Sequence, residues 1–202
     1  LRMTRISPSP EKSAETLAVV EKEVARMARL LRELVTFARK RREDVMLLEV
    51  SEVVAGVAGL LSHDPRARSV ELRCEAGVGP AAVRAKEDDL VQVLMNLGVN
   101  ALDATSERGG TIVFSTSVTD DEVAIRVSDT GSGVPDAIRS RLFEPFFTTK
   151  PAGRGTGLGL FVSRSVAEDL GGKLELESSG PTGTVFVLRV PREQLDPEGT
   201  TT

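Results

Sequence analysis

The chain has 202 residues, 40% of them apolar, and a formal net charge of −4 from 26 basic and 30 acidic side chains. That length and apolar content suit one sizeable domain or a domain with an appendage, and the charge balance argues against a general nucleic-acid coat. A single cysteine, Cys74, excludes a disulfide framework and a cysteine-based zinc site and suits a reducing compartment, while no apolar run nears the ~20 residues of a membrane span.

No secretory leader pattern opens the sequence, and the first residue is Leu rather than Met. We therefore expect upstream segments, any membrane part among them, in a longer polypeptide. Residues 1–10 end in the turn signal Ser-Pro-Ser-Pro. Leu17, Val20, Val24, Met27, Leu31, Leu34 and Ala38 then alternate at spacings of three and four, an a/d seam expected to bury against another helix or a second copy. The charged "ARKRRED" marks the exit from this helix. "VMLLEV" reads as a strand, and Ser51 is the expected N-cap of a helix reaching about Leu61.

"SVELRCEA" and "AAVRA" read as strands and residues 86–105 as a strong helix. "GGTIVFSTSVT" and "DEVAIRVSD" form an expected antiparallel pair. Residues 130–156 lack periodicity, and a helix follows from about 157 to 170. "GKLELESS" and "GTVFVLRVP" form a hairpin around "GPTG", and the tail 192–202 is expected to be flexible. This mixture points to an α+β chain, a two-layer α/β sandwich with helices on one sheet face.

Three stretches could carry chemistry. On the 86–105 helix, Leu90, Val93, Leu94, Leu97, Ala101 and Ala104 form an expected core stripe, and Asp89, Gln92, Asn96, Asn100 and Asp103 a polar one. Asn suits helix interiors poorly, and amide oxygens can ligate Mg²⁺ shared with substrate phosphates; a merely solvated face is the alternative. In "VSDTGSGVP", Asp129 ends a strand before Gly131 and Gly133, where a carboxylate can accept from an exocyclic amine; an ordinary turn is the alternative. "FEPFFTTKPAGRGTGLGLF" is glycine-rich but fits neither the Walker A nor the Rossmann spacing. A helix opening around Gly157–Gly159 would still offer an anion its backbone N–H groups.

Taken in order, these stretches resemble the N, G1, F and G2 boxes of sensor histidine kinases, within the GHKL superfamily shared with gyrase, Hsp90 and MutL. The boxes are "NLGVNALDA", "DTGSG", "FEPFFTTK" and "GTGLGL", and the F box and short lid look most like the nitrogen-regulation type. The resemblance implies a catalytic and ATP-binding domain over residues 45–191 with the Bergerat fold. It also implies a partial dimerisation and phosphotransfer segment over residues 1–42. By this likeness Asn100 ligates Mg²⁺, Asp129 accepts from the adenine amine, and Gly131, Gly133 and Thr184 lie near the base. Phe143, Phe146 and Phe147 anchor a mobile lid. Thr148, Thr149, Lys150 and Arg154 lie toward phosphate, as do Gly155, Thr156, Gly157, Leu158, Gly159 and Leu160 at the lid and helix start. Arg141 is implied to stabilise charge during transfer.

Asn96 stands where ATP-hydrolysing relatives carry a Glu, so transfer to a protein acceptor is favoured over hydrolysis. Asp103 replaces a Lys found in other kinases, and an acid there needs an intervening cation or water beside polyphosphate. The implied phosphoacceptor His belongs on an upstream helix. The sole histidine, His63, lies in the wrong place, so this stretch is expected to bind ATP without autophosphorylating. Implied partners are a second copy through the N-terminal helix and a response-regulator receiver domain, in the cytoplasm, with no nucleic acid. The alternatives are an anti-sigma-type serine kinase and an ATP-controlled dimerisation or scaffold module.

Overall fold

A computed structural model describes residues 45–77, 79, 81–151 and 155–193, together with the isolated positions Val20 and Val24. The heptad helix expected upstream lies outside the described residues except at those two positions, which are helical and exposed. The described chain runs β1 (Met46–Glu49), α1 (Val50–Ser62), a 3-10 turn (Pro65–Ser69), β2 (Val70–Glu75), β3 (Ala82–Ala85) and α2 (Glu87–Thr105). It continues through β4 (Gly110–Val118), β5 (Glu122–Asp129), α3 (Asp136–Arg139), α4 (Gly159–Asp169), β6 (Lys173–Gly180) and β7 (Gly183–Pro191).

Five strands form one mixed sheet in the order β2-β4-β5-β7-β6, parallel only between β2 and β4. β1 and β3 make a separate antiparallel ribbon. Period-two alternation turns Ile112, Phe114, Ile125, Val127, Phe186 and Leu188 into a common core with Leu90, Leu94 and Leu97 of α2. Each fully buried side chain of this kind contributes about 1.5–3 kcal/mol. The other sheet face is charged: Arg126 bonds Glu177 and Arg189 bonds Glu122. One face is therefore packed and one wet, the two-layer sandwich expected from the strand patterns.

Several details depart from the expectations. Ser51 does not cap α1. Glu49 holds the N-cap position, and its Oε1 accepts from both the Ser51 hydroxyl and the Ala81 N–H. The helix therefore opens two residues earlier, where β1 is already tied to the segment before β3. Ala104 is only half-buried, and Thr105 enters the core instead, its hydroxyl donating to the Ala101 carbonyl. Gly98 and Leu102 widen the buried stripe because α1 as well as the sheet packs on α2; a Cβ at Gly98 would collide with the Leu61 side chain. The irregular stretch contains the single turn α3, and α4 starts at Gly159 rather than Gly157. Beyond β7, Arg192 N–H donates to Asp121 and Glu193 N–H to Ala82, so pairing continues two residues into the expected tail; residues 194–202 lie outside the described ones.

The β6–β7 hairpin sets the register that matters most, pairing Thr184 with Asp129 at the end of β5. Gly183 makes this possible: its φ is +144°, and a Cβ there would overlap the Asp129 carbonyl. Gly183→Ala is expected to destabilise the fold by more than about 1 kcal/mol, read as a lower urea midpoint.

Candidate functional site

The polar stripe of α2 is not merely solvated. Gln92, Asn96, Asn100 and Asp103 line one wall of a cavity of about 670 Å³, within the range of small-molecule sites. Asp89, expected on the same stripe, lies outside the cavity at the helix start, where burial pushes its carboxyl up despite the nearby Lys86.

One end of the cavity holds a half-buried acid among apolar side chains. Asp129 lines it beside Val127, Ile138, Leu142 and Phe186. Burial pushes the Asp129 carboxyl above its ordinary range, partly offset by the backbone N–H groups of Gly131 and Thr184. The Gly131 bond is 2.8 Å long. Thr184 is 4% exposed, and its hydroxyl sits 3.4 Å from Ser179 Oγ, which also accepts the Val134 N–H at 2.7 Å. Gly131 and Gly133 owe their lack of side chain to protein rather than open space. A Cβ on Gly131 would meet the Ala104 backbone, and one on Gly133, at φ +73°, the Gly180 carbonyl. Gly133 lines the cavity and Gly131 stands behind it.

The other end is charged. Lys150 Nζ donates to Asn100 Oδ1 at 2.8 Å and to Asp103 Oδ2 at 2.5 Å. The opposite oxygen of Asp103 accepts from Arg66 Nη1, and Arg66 is gripped from behind by both carboxylate oxygens of Asp64. That grip, first through the side-chain bonds, holds the Asp64 carboxyl down at about 2 and pushes the Arg66 guanidinium above its usual range. The oxygens of Asn100 and Asp103 thus already surround a cation. Among the described residues no cluster of three or more His, Cys, Asp or Glu side chains could hold a metal by itself. A divalent ion here would have to draw most of its shell from phosphate and water, as Mg²⁺ does.

Asn96 lines the cavity one turn before Asn100 on α2. Its amide N–H₂ donates to the Gly159 carbonyl at 3.3 Å and to the buried Ser163 hydroxyl at 3.1 Å, bracing the start of α4 against α2. Thr148, Thr149, Gly155, Thr156, Gly157, Leu158, Gly159 and Leu160 also line the cavity. No side chain caps α4 at Leu158. Gly157, at φ +72°, packs where a Cβ would strike the Phe146 carbonyl, and Phe146 itself has φ +65° and is 61% exposed. A non-glycine residue in that region is strained, and such strain is held by surrounding packing.

Not every expected residue reaches the cavity. Arg141 bonds Glu144 at 3.0 Å and stacks its guanidinium 4.4 Å above Phe147, and it does not line the cavity. Phe143 sits behind the wall, edge-on to Phe186 at 6.4 Å, so it supports the pocket from outside. Arg154 lies outside the described residues. His63 closes α1 with Nδ1 2.8 Å from the Gly59 carbonyl, and it does not line the cavity. Sequence reasoning missed Arg66, Ile138 and Leu142. The latter two stand four residues apart, a helical spacing too short to notice in an irregular stretch. Nothing local marks Arg66, which lies 37 residues from Asp103.

No helix among the described residues is long and apolar enough to cross a membrane. The profile of the histidine kinase-, DNA gyrase B- and HSP90-like ATPases matches residues 85–194. The two-component sensor PprA of Pseudomonas aeruginosa is 35% identical over 94% of this chain, and sensor histidine kinase ZraS of Salmonella typhi 32% identical over 92%. The chain spans 21% and 39% of the length of those two relatives. Among solved structures, the catalytic domain of histidine kinase ThkA superposes with a TM-score of 0.66 at 31% identity, over 74% of this chain and 97% of that one. Full-length ShkA in complex with AMPPNP, 23% identical, shares the fold with a TM-score of 0.72 over 96% of this chain and 41% of that one. With its sheet order, Asn-bearing helix and glycine-rich α4 start, the chain belongs to the histidine kinase-, DNA gyrase B- and HSP90-like ATPase family.

Proposed function

We propose that residues 45–191 are the ATP-binding and catalytic domain of a two-component sensor histidine kinase, transferring the γ-phosphoryl group to a His on an upstream helix. The observation that carries this is one cavity with two chemically opposite ends: a half-buried carboxylate among apolar side chains, and an amide-plus-cation cluster beside an uncapped helix start. A purine ring suits the first end and a polyphosphate the second. The relatives matched are sensor kinases, which favours this reading over a scaffold module or a serine kinase.

In this reading Asp129 accepts from the adenine amine. Val127, Ile138, Leu142 and Phe186 flank the ring and exclude water. Asn100 would help hold Mg²⁺, which would supply charge neutralisation for the phosphates. Lys150, freed from Asn100 and Asp103, turns to phosphate, and the α4 N–H groups support the same charge. Catalysis is then positioning and neutralisation, with little covalent work for the protein. Asn96 is no base: its amide hydrogens are committed to Gly159 and Ser163, so nothing in that position activates water, and transfer prevails over hydrolysis. Residues 1–42 supply part of the dimerisation and phosphotransfer segment, the acceptor after the His is a response-regulator receiver domain, and the domain works in the cytoplasm. Supplying the His-bearing upstream helix in trans with γ-labelled ATP is expected to yield labelled phosphohistidine; an unlabelled helix beside ATP-saturated protein refutes the kinase reading.

Asp129 offers a sharper check. Its native carboxyl titrates above that of the unfolded chain, so the native state holds the extra proton between the two values. Stability from this group therefore falls as pH rises through that interval. Asp129→Asn is expected to raise Tm at pH 7 while weakening adenine-nucleotide binding by about 1.5–3 kcal/mol, the worth of a hydrogen bond to a charged group. Calorimetric affinity equal to wild type removes Asp129 from the site. For Asn100→Ala, affinity is expected to drop for ATP with Mg²⁺ and to change little for ATP in chelator. Equal insensitivity in both conditions removes Asn100 as a metal ligand.

A further inference from the structure

Asp103 poses a problem for any polyphosphate reading of this cavity. It lines the charged end one turn beyond Asn100, and a bare carboxylate there would repel phosphate. In the structure it carries two cations, one on each oxygen: Lys150 on Oδ2 and Arg66 on Oδ1. The two differ in how they are held. Lys150 reaches in from the segment after the F-box phenylalanines, its long stem adaptable and its ammonium shared with Asn100. Arg66 is fixed in the 3-10 turn, its Nε and Nη2 clamped by Asp64 and only Nη1 given to Asp103. The 3-10 turn is itself anchored, since Asp64 also accepts the Arg66 backbone N–H at 2.9 Å.

We propose that Arg66 is a positioning residue of the nucleotide site: it is the permanent counter-ion of Asp103, and it allows Lys150 to leave Asp103 for the phosphates without exposing them to an unpaired carboxylate. This rests on the ATP-binding reading above. The Lys150 bridge then acts as an exchangeable latch, holding the metal-side oxygen of Asn100 with an ammonium until nucleotide and metal take over. Without a fixed partner, departure of Lys150 would leave Asp103 charged beside three phosphates. With Arg66 in place, Asp103 keeps a cation on Oδ1 throughout. A guanidinium suits this task because its planar fork can serve two carboxylates at once, which an ammonium on a flexible stem does poorly. The pair is only partly exposed, with side-chain accessibilities of 36% for Arg66 and 29% for Asp103, so screening by water is incomplete.

The proposal makes the effect of Arg66 grow with phosphate charge and vanish with Asp103. Calorimetric affinities of adenosine, ADP and ATP are measured for the whole chain and for Arg66→Gln, Arg66→Lys, Asp103→Asn and the Arg66→Gln/Asp103→Asn double variant, each checked for folding by circular dichroism. Arg66→Gln is expected to weaken ATP about tenfold, ADP less, and adenosine not at all. Arg66→Lys should recover part of the loss, and the double variant should return ATP affinity to within about threefold of Asp103→Asn alone. An equal loss for all three ligands would mean that Arg66 only staples the turn to α2, and the proposal falls. It falls equally if Arg66→Gln leaves ATP binding unchanged, or if Asp103→Asn fails to rescue it. Should Arg66→Gln not fold, the Asp103→Asn background decides. There the expected result is ATP binding at least as tight as wild type, and weaker binding refutes the repulsive role of Asp103. Wild-type chain that binds none of the three ligands would overturn the nucleotide reading itself, a result distinct from every outcome above.

Discussion

The structure depends on one helix serving two masters. The core contacts of α2 fix its rotation about its axis: Leu90, Leu94, Leu97 and Ala101 must face the sheet, and Gly98 must let Leu61 of α1 approach. Once that face is buried, the 3.6-residue period aims Asn96, Asn100 and Asp103 into the cavity, with no freedom left to turn away. Asparagine contributes little to helix stability, so the helix tolerates two of them because packing, not propensity, holds it. The hydrophobic core is thus also the device that aligns the polar wall.

The sheet plays the corresponding part for Asp129. A carboxylate at a strand end could point anywhere, but its pairing opposite Thr184 and the turn at Gly131 place two backbone N–H groups around it and half-bury it against apolar neighbours. Close approaches at Gly131, Gly133 and Gly183 draw α2, β6 and β7 tight around this point. The outcome is an acid kept in an environment that disfavours its charge, a cost to the fold that a donor from a ligand would offset.

At the opposite end, electrostatics rather than apolar packing dominates. Asp64, Arg66, Asp103 and Lys150 alternate in sign along a single chain of contacts, so the cluster is neutral as a whole while presenting exchangeable partners. Asn96 couples this end to the start of α4, so the helix that offers backbone N–H groups is braced by the helix that carries the amide oxygens. The strained backbone at Phe146 sits against Gly157, which ties the aromatic segment to the same helix start. Aromatic residues that read as a hinge in the sequence are thus split between roles. Phe143 buttresses Phe186, Phe147 lies under Arg141, and Phe146 faces solvent.

Local patterns in the sequence were enough for the elements and for most of the cavity. Alternation marked the five sheet strands, 3.6-residue periodicity marked α2 with both of its faces, and the order of Asn, Asp-Gly and glycine-rich stretches marked the site, because each signal lies within one element. Where contacts cross between elements, sequence reasoning lost its hold. Glu49 displaced Ser51 as the cap because β1 is tied to the segment before β3, and Thr105 rather than Ala104 entered the core, where it meets Gly110 at the start of β4. Arg141 looked suited to the site until Phe147 and Glu144 claimed it. Nothing in the sequence around Arg66 marks it, and only folding brings it across to Asp103. Periodicity determines which face a residue occupies; only the packing of one element on another decides what that face meets, and the charged end of this cavity is made entirely of such meetings.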